Sequence, residues 1–334
     1  MTLLANLCSL GLDTSCYTTS VALVDSGGLV YDGRTPLEVS FGAVGLRQSE
    51  AVFQHVRNTP ALIEAALHTA RQRGLKVAAV GASAWPRRVR GSYMPVFLAG
   101  SGFGRAASAS LAAPYIEVSH QEGHIAAASW SSDLGIARCG GFLALHLSGG
   151  TTELLAVRDR FSVELLGGTD DLSAGQFIDR IGVKLGIPFP AGPGLERLAA
   201  DGRSGAARLP VAVARAREPG RLAVSFSGPC SAAMRELGGG KRQADLALGV
   251  LECIGQSAAA LCAEGLRAAG LRELLASGGV ASNSIIRRIM QDEVARMVPG
   301  SVLHFAAPEH SRDNAVGVAL LAWQAHIENG GASC

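Results

Sequence analysis

The chain reads as an α/β protein built from two similar halves, and three observations carry that expectation. Residues 142–157, "FLALHLSGGTTELLAV", run as apolar strand, small turn and apolar strand, a hairpin with glycines at its tip. Residues 10–25, "LGLDTSCYTTSVALVD", repeat that layout, with Asp13, Thr14, Ser15 and Cys16 in the turn, which points to an internal duplication. A third glycine turn, in "LLASGGVASNS" at residues 274–284, follows an apolar strand and precedes an amphipathic helix. Glycines in such turns tolerate positive φ and let main-chain N–H groups approach an anion. Strand, glycine turn, helix is also where α/β proteins hold phosphates and nucleotides. None of the three turns is a Walker loop or a GxGxxG fingerprint, so a nucleotide cleft of another architecture is expected.

The totals bound the class. The chain has 334 residues, enough for two domains, with 48% hydrophobic and 17% charged residues, so it is globular. No uninterrupted apolar run reaches the ~18 residues that cross a bilayer. The opening "MTLLANLCSL" lacks the basic start of a signal peptide. Seven scattered cysteines without a CxxC pair read as reduced cytoplasmic thiols, not as a disulfide framework. The net charge of +2 confines any nucleic-acid surface to a local patch.

Along the chain, "GLRQSEAVFQHVRN" is expected to be a helix bearing Glu50 and His55. Thr59 then reads as the cap of a second helix, with Pro60 in its first turn. A strand at 77–83 leads into "WPRRVRGSYMP", a loop with Arg87, Arg88 and Arg90 beside Trp85 and Tyr93. That loop is either a phosphate or RNA contact or a solvated basic loop. A helix at 103–112 and a strand in "PYIEVS" precede the central hairpin, and a further strand is expected at 161–166. "SAGQFIDRIGVKLG" is a helix burying Phe177, Ile178, Ile181 and Leu185, followed by the rigid loop "IPFPAGPG". An arginine-bearing stretch at 202–220, a strand in "VSFSGP" and a long helix at about 242–269 come next. The third glycine turn, a helix, a strand at 302–306 and a closing helix from about Asp313 end the chain.

Few residues have the chemistry for a reaction. His120 and His124 in "SHQEGHIAAA" fall on one helical face, where both imidazoles can reach one metal ion; the same spacing is also common in surface and capping histidines. A zinc protease needs glutamate directly after the first histidine, and Gln121 stands there, which excludes that class. Asp313 is a candidate third ligand, or only a helix N-cap. Asp179 and Asn283 can hydrogen-bond a nucleotide's sugar or base, or serve as surface and capping residues.

Taken together, these motifs resemble the TsaD family, the tRNA adenosine threonylcarbamoyltransferases once called O-sialoglycoprotein endopeptidases. The likeness runs from Leu10 to about Trp323 with the motifs in family order. "GLDTSCYTTSVALV" resembles the family's opening hairpin, "HQEGH" its metal-binding His-x-x-x-His, and "LSGGTTELL" its Ser-Gly-Gly-His-Thr turn. "GQFIDRIGVKLGIPFPAGP" resembles its substrate helix and loop, "FSGPCSA" its Phe-Ser-Gly turn, "SGGVASN" its nucleotide turn, and "RDNA" its Thr-Asp-Asn-Ala.

The resemblance implies the duplicated actin-like ATPase and sugar-kinase (ASKHA) fold, two lobes around a nucleotide cleft, with lobes at 1–113 plus 310–334 and at 114–309. It implies iron or zinc on His120, His124 and Asp313. An adenine nucleotide, threonylcarbamoyl-AMP or ATP, would lie against Leu147, Ser148, Gly149, Gly150 and Thr151, with Asp179, Gly192, Gly278, Gly279 and Asn283 around the nucleoside. Asp13 and Ser148 are the catalytic candidates. The acceptor would be tRNA, and the helpers a smaller partner of similar fold and a separate ATPase, all in the cytoplasm and away from membranes. The sequence departs from the family where Tyr17 and Thr18 replace an acidic pair, Thr151 replaces the turn histidine, Cys230 replaces a lysine, and "RRVRGSYMP" replaces a Pro-Gly-rich loop. Two readings therefore stand: a metal-dependent transferase, or a nucleotide-binding paralogue that has lost turnover and acts as a partner or regulatory subunit.

Overall fold

A computed structural model of the chain describes residues 6–15, 17–39, 46–135, 141–158, 162–169, 171–212, 214–215, 220–310 and 313–329. The chain divides into two compact units, one taking Met1–Ser131 and Glu309–Cys334, the other Ser132–Pro308.

In the first unit, β1 (Leu7–Asp13), β2 (Thr18–Asp25) and β3 (Gly28–Pro36) form an antiparallel meander. β4 (Lys76–Trp85) and β5 (Tyr115–Ser119) then add in parallel to β1, giving the order β3-β2-β1-β4-β5. β1 and β2 are buried on both faces and read as continuous apolar runs, as central strands covered by helices should. The helices are α1 (Gln48–Gln72), α2 (Phe97–Leu111), α3 (His120–Trp130) and, from the end of the chain, α9 (Val316–Asn329).

Two expectations change here. The break anticipated at 113/114 falls after Ser131, because β5 pairs with β4 and carries α3 with it. The helix start anticipated at Thr59 does not occur: α1 runs through Pro60. The Thr59 hydroxyl turns back to the His55 carbonyl at 2.7 Å instead of capping forward.

The second unit repeats the arrangement. β6 (Phe142–Leu147), β7 (Thr152–Val157) and β8 (Val163–Thr169) are an antiparallel meander, and β11 (Glu273–Ser277) and β12 (Val302–Phe305) add in parallel to β6. The order β8-β7-β6-β11-β12 matches β3-β2-β1-β4-β5 strand for strand and sense for sense. Two short strands, β9 (Ala214–Arg215) and β10 (Leu222–Val224), extend the β8 edge. The strand expected from Phe161 starts later, at Val163, and Phe161 lies outside the described residues.

Helices α4 (Ala174–Lys184), α5 (Gly192–Ala199), α6 (Ser227–Gly238), α7 (Gln243–Ala269) and α8 (Ser284–Met297) complete this unit. α4 has a capping box on Ser173 and Gln176, and buries Phe177, Ile178 and Ile181 as its 3.6-residue period requires. Leu185 caps it, half-buried, and Gly186 follows at φ 80°. α5 takes over the end of the expected "IPFPAGPG" loop, and the "FSGP" turn is the first turn of α6. α7, the long helix expected at about 242–269, is long and apolar enough to span a membrane by length and composition, but most of it is buried as the core helix of this unit.

Candidate functional site

In the first unit, β1, β4 and β5 are mutually parallel, so Asp13, Trp85 and Ser119 end at one edge of the sheet. The carboxyl ends of strands are where α/β sheets bind ligands. Ser119 caps α3 in a capping box with Glu122, which makes His120 the first residue of that helix. His124 follows one turn later on the same face, and the two Nε2 atoms lie 3.0 Å apart.

Asp313 reaches this pair from the far end of the chain. Its Oδ1 lies 3.4 Å from His124 Nε2 and 3.7 Å from His120 Nε2. At the start of α9 it is Asn314, not Asp313, that bonds to the helix, its Oδ1 accepting from the Val316 N–H at 3.0 Å, while Asp313 faces the histidines. A close helix contact brings them together. Gly317 near the start of α9 packs on the main chain of Gly123, between the two histidines, where a Cβ would collide.

One ligand atom each from His120, His124 and Asp313 lies within 4.8 Å of the others. Two imidazoles and one carboxylate form the donor set of a 2-His-1-carboxylate centre and of many zinc sites. A partner for the remaining His120 nitrogen is also present: Nδ1 lies 3.2 Å from Asp13 Oδ1, the carboxylate–histidine pairing that orients metal ligands. The residues therefore fit a divalent cation.

Asp13 has no exposed surface, and its second oxygen accepts from the Ser15 hydroxyl at 2.5 Å. Burial alone would raise its pKa; the charge of His120 and the hydrogen bonds from His120 and Ser15 outweigh that and bring it down to about 2. Burial pushes the His120 pKa down, but Asp13 and then Asp313 reverse the shift and hold it above the ordinary value. A pocket that favours a proton on its imidazoles also favours a metal cation.

Sequence reasoning put one neighbour on its helix but gave it no place beside this site. His55 on α1 is fully buried, its Nδ1 is 2.9 Å from the Thr19 hydroxyl, and its Nε2 has no hydrogen-bond partner among the described residues. Burial depresses its pKa to about 4, against the pull of Asp13 and Asp313. Tyr17, a phenol, is 48% exposed and Thr18, a hydroxyl, is half-buried; neither side chain is a carboxylate, and Cys16 lies outside the described residues.

In the second unit the glycine turns also gather at carboxyl strand ends, after β6 and β11. The Leu147 carbonyl accepts from the N–H groups of Val280 (3.0 Å) and Ala281 (3.4 Å), which knits the two turns. Gly278 has φ +98° and sits where a Cβ would strike the Leu147 main chain. Gly149 and Gly150 are exposed with open space above them, and neither uses the positive φ that glycine tolerates. The turn closes by Ser148 N–H to the Thr151 carbonyl at 2.9 Å, and the Ser148 hydroxyl accepts from Thr151 N–H at 3.1 Å.

Asp179 and Asn283 turn out to have structural tasks. Asp179 accepts from the Ala191 N–H at 2.8 Å, just before Gly192, and so fastens the loop ahead of α5. Asn283 caps α8, its Oδ1 accepting from Ile285 and Ile286. Gly279 and Gly192 have no protein atom near a hypothetical Cβ. Beside Cys230, the Arg180 guanidinium supplies a cation. Burial, the larger effect, still leaves that thiol with a raised pKa.

Comparison with known proteins agrees with this geometry. The family model described as "TsaD: tRNA N6-adenosine threonylcarbamoyltransferase" matches residues 40–320. A tRNA N6-adenosine threonylcarbamoyltransferase of Thermus thermophilus is 34% identical over 320 residues, covering 95% of this chain and 92% of the relative. One of Chloroherpeton thalassium is 31% identical over 328 residues, covering 94% and 90%. Among solved structures, HypF of T. kodakarensis is similar with TM-score 0.62 at 15% identity, covering 98% of this chain and 48% of that one. Component A of the Acidaminococcus fermentans (R)-2-hydroxyglutaryl-CoA dehydratase gives 0.53 at 16%, covering 96% and 99%. A ROK family glucokinase from Streptomyces griseus gives 0.51 at 12%, covering 95% and 99%. At such identities these structures show the fold alone: two sheets of the actin-like ATPase and sugar-kinase type.

Proposed function

The chain belongs to the tRNA N6-adenosine threonylcarbamoyltransferase (TsaD) family, and from that premise we propose that it moves a threonylcarbamoyl group from threonylcarbamoyl-adenylate to the exocyclic amine of the tRNA adenosine beside the anticodon. The observation that carries the proposal is the meeting of His120, His124 and Asp313, with Asp13 behind His120. These three residues would hold one iron or zinc ion. When bound, such an ion supplies positive charge to a carbonyl or phosphate oxygen as charge develops there. Asp13, with both oxygens engaged, orients His120.

In the second unit, Leu147 to Thr151 with Gly278 and Gly279 would receive the adenylate, with its phosphate against the exposed turn at Gly149 and Gly150, where no side chain bars approach to the main chain. The acceptor nitrogen bonds to the carbamoyl carbon, the carbon–oxygen bond to phosphate breaks, AMP departs with that oxygen, and the proton released by the amine passes to the departing phosphate or to water. A smaller partner of similar fold and a separate ATPase are the expected helpers, and a reaction on tRNA belongs in the cytoplasm.

A second reading has its own observation. Tyr17 and Thr18 offer no carboxylate to take the amine's proton, and the Asp13 carboxylate in the same turn already has both oxygens engaged. On this reading the chain binds nucleotide as a partner or regulatory subunit. Incubation with threonylcarbamoyl-adenylate and unmodified tRNA, with the helper proteins added, separates the two. Modified adenosine in the tRNA supports the transferase; nucleotide binding without product under all conditions supports the partner.

A further inference from the structure

The loop that follows β4 is fastened to the helix bearing the two histidines. Trp85 pairs with Ser119 across β4 and β5, and the Pro86 carbonyl accepts from the Gln121 N–H at 3.1 Å, one residue past His120. Arg88 completes the attachment. Its Nε lies 2.6 Å from Glu122 Oε1, it donates to the Glu117 carbonyl at 3.0 Å, and its guanidinium lies 5.4 Å from the centre of the Trp85 ring. The Glu122 side chain is buried, and its other oxygen accepts from the Ser119 N–H at 2.6 Å. Arg88 is thus occupied in holding the loop against the first turn of α3.

What this attachment turns outward is Arg90 and Tyr93, the latter 62% exposed, on a loop closed by Arg87 N–H to the Ser92 hydroxyl at 3.1 Å. A cation and an accessible aromatic ring on an anchored loop, at the ligand-binding edge of a sheet, are the elements of a single-strand RNA contact. An amine inside a stacked helix cannot enter a site, so the acceptor nucleotide and its neighbours must unstack. Their exposed base faces then suit an aromatic platform. An acidic protein surface would engage the arginine but would make no use of stacking.

We propose that the loop at 87–93 is the docking element for the acceptor RNA, with Arg90 on a backbone phosphate and Tyr93 stacked on an unpaired base. The proposal rests on the tRNA acceptor inferred above and names the part of this chain that holds it. The test is equilibrium binding of unmodified tRNA between 50 and 200 mM salt by the full chain with its helper proteins, for wild type, Arg90→Ala, Arg90→Lys and Tyr93→Ala. Arg90→Ala should flatten the plot of log K against log salt by about 0.7, the share of one single-strand phosphate contact, and Arg90→Lys should restore it. Tyr93→Ala should weaken binding about tenfold at every salt concentration and leave the slope unchanged. Both side chains are exposed, so melting temperatures should stay at the wild-type value.

Wild-type binding and slope in both alanine variants, with transfer intact in the wild type, would overturn the loop proposal and leave the transferase reading standing. Loss of a helper protein from Arg90→Ala with an unchanged salt slope would make the loop a protein interface and equally overturn it. A wild type that neither binds nor modifies tRNA would remove the function on which the proposal rests.

Discussion

Asp13 shows how much one side chain can settle when both its oxygens are already engaged. It is completely buried, fixed by Ser15, and bonded to the far nitrogen of His120. On the proposed reading it aims that imidazole, so Asp13→Asn should lower metal affinity about 10- to 100-fold, beyond any loss of fold stability read from the melting temperature, measured by competition with a chromophoric chelator. His55 gives a second prediction at this scale. Its folded pKa of about 4 lies below the ordinary 6.5, so the unfolded chain binds more protons between those values. Stability should therefore be intact above pH ~6.5 and fall as pH drops towards ~4, by up to roughly 3 kcal/mol. Denaturant titrations across that window check it, and His55→Gln should abolish this share of the slope. The paired histidines were legible in the sequence because helical spacing is local. The Asp13–His120 contact spans 107 positions and has no local signature.

Among the elements, the approach of α3 and α9 does the assembling. Gly123 and Gly317 let the two main chains touch, and Asp313 meets the histidines because of it. Gly317→Ala should push α9 away, with loss of metal binding in excess of its effect on folding, read from metal content and melting temperature on the same sample. At the other unit's edge, Asn283→Ala removes a cap that satisfies two helix N–H groups and should cost about 1 kcal/mol in chemical denaturation. Both hairpins were readable from apolar runs around small-residue turns, α4 from its apolar stripe and α7 from its long alanine-rich run. α1 was not, because Thr59-Pro60 carries the local chemistry of a helix start while packing on β2 and β3 keeps the helix continuous. The turn at Gly149 and Gly150 was read as one whose glycines tolerate positive φ and keep a Cβ out of the way; neither uses positive φ, and both leave open space above the main chain.

For the molecule as a whole, duplication is the organising fact. Two five-stranded patterns of one order and sense place the small-residue and glycine turns at the carboxyl edge of each sheet. That repeat was visible in the hairpins at 10–25 and 142–157, whereas the unit boundary was not, since the pairing of β5 with β4 joins residues far apart in the chain. The central claim is that one unit holds a divalent ion on His120, His124 and Asp313. Elemental analysis of the purified protein beside His120→Ala and Asp313→Asn tests it most directly. The account predicts about one iron or zinc per wild-type chain and almost none in either variant at unchanged circular dichroism; wild-type protein free of metal, or variants that keep it, would contradict the claim.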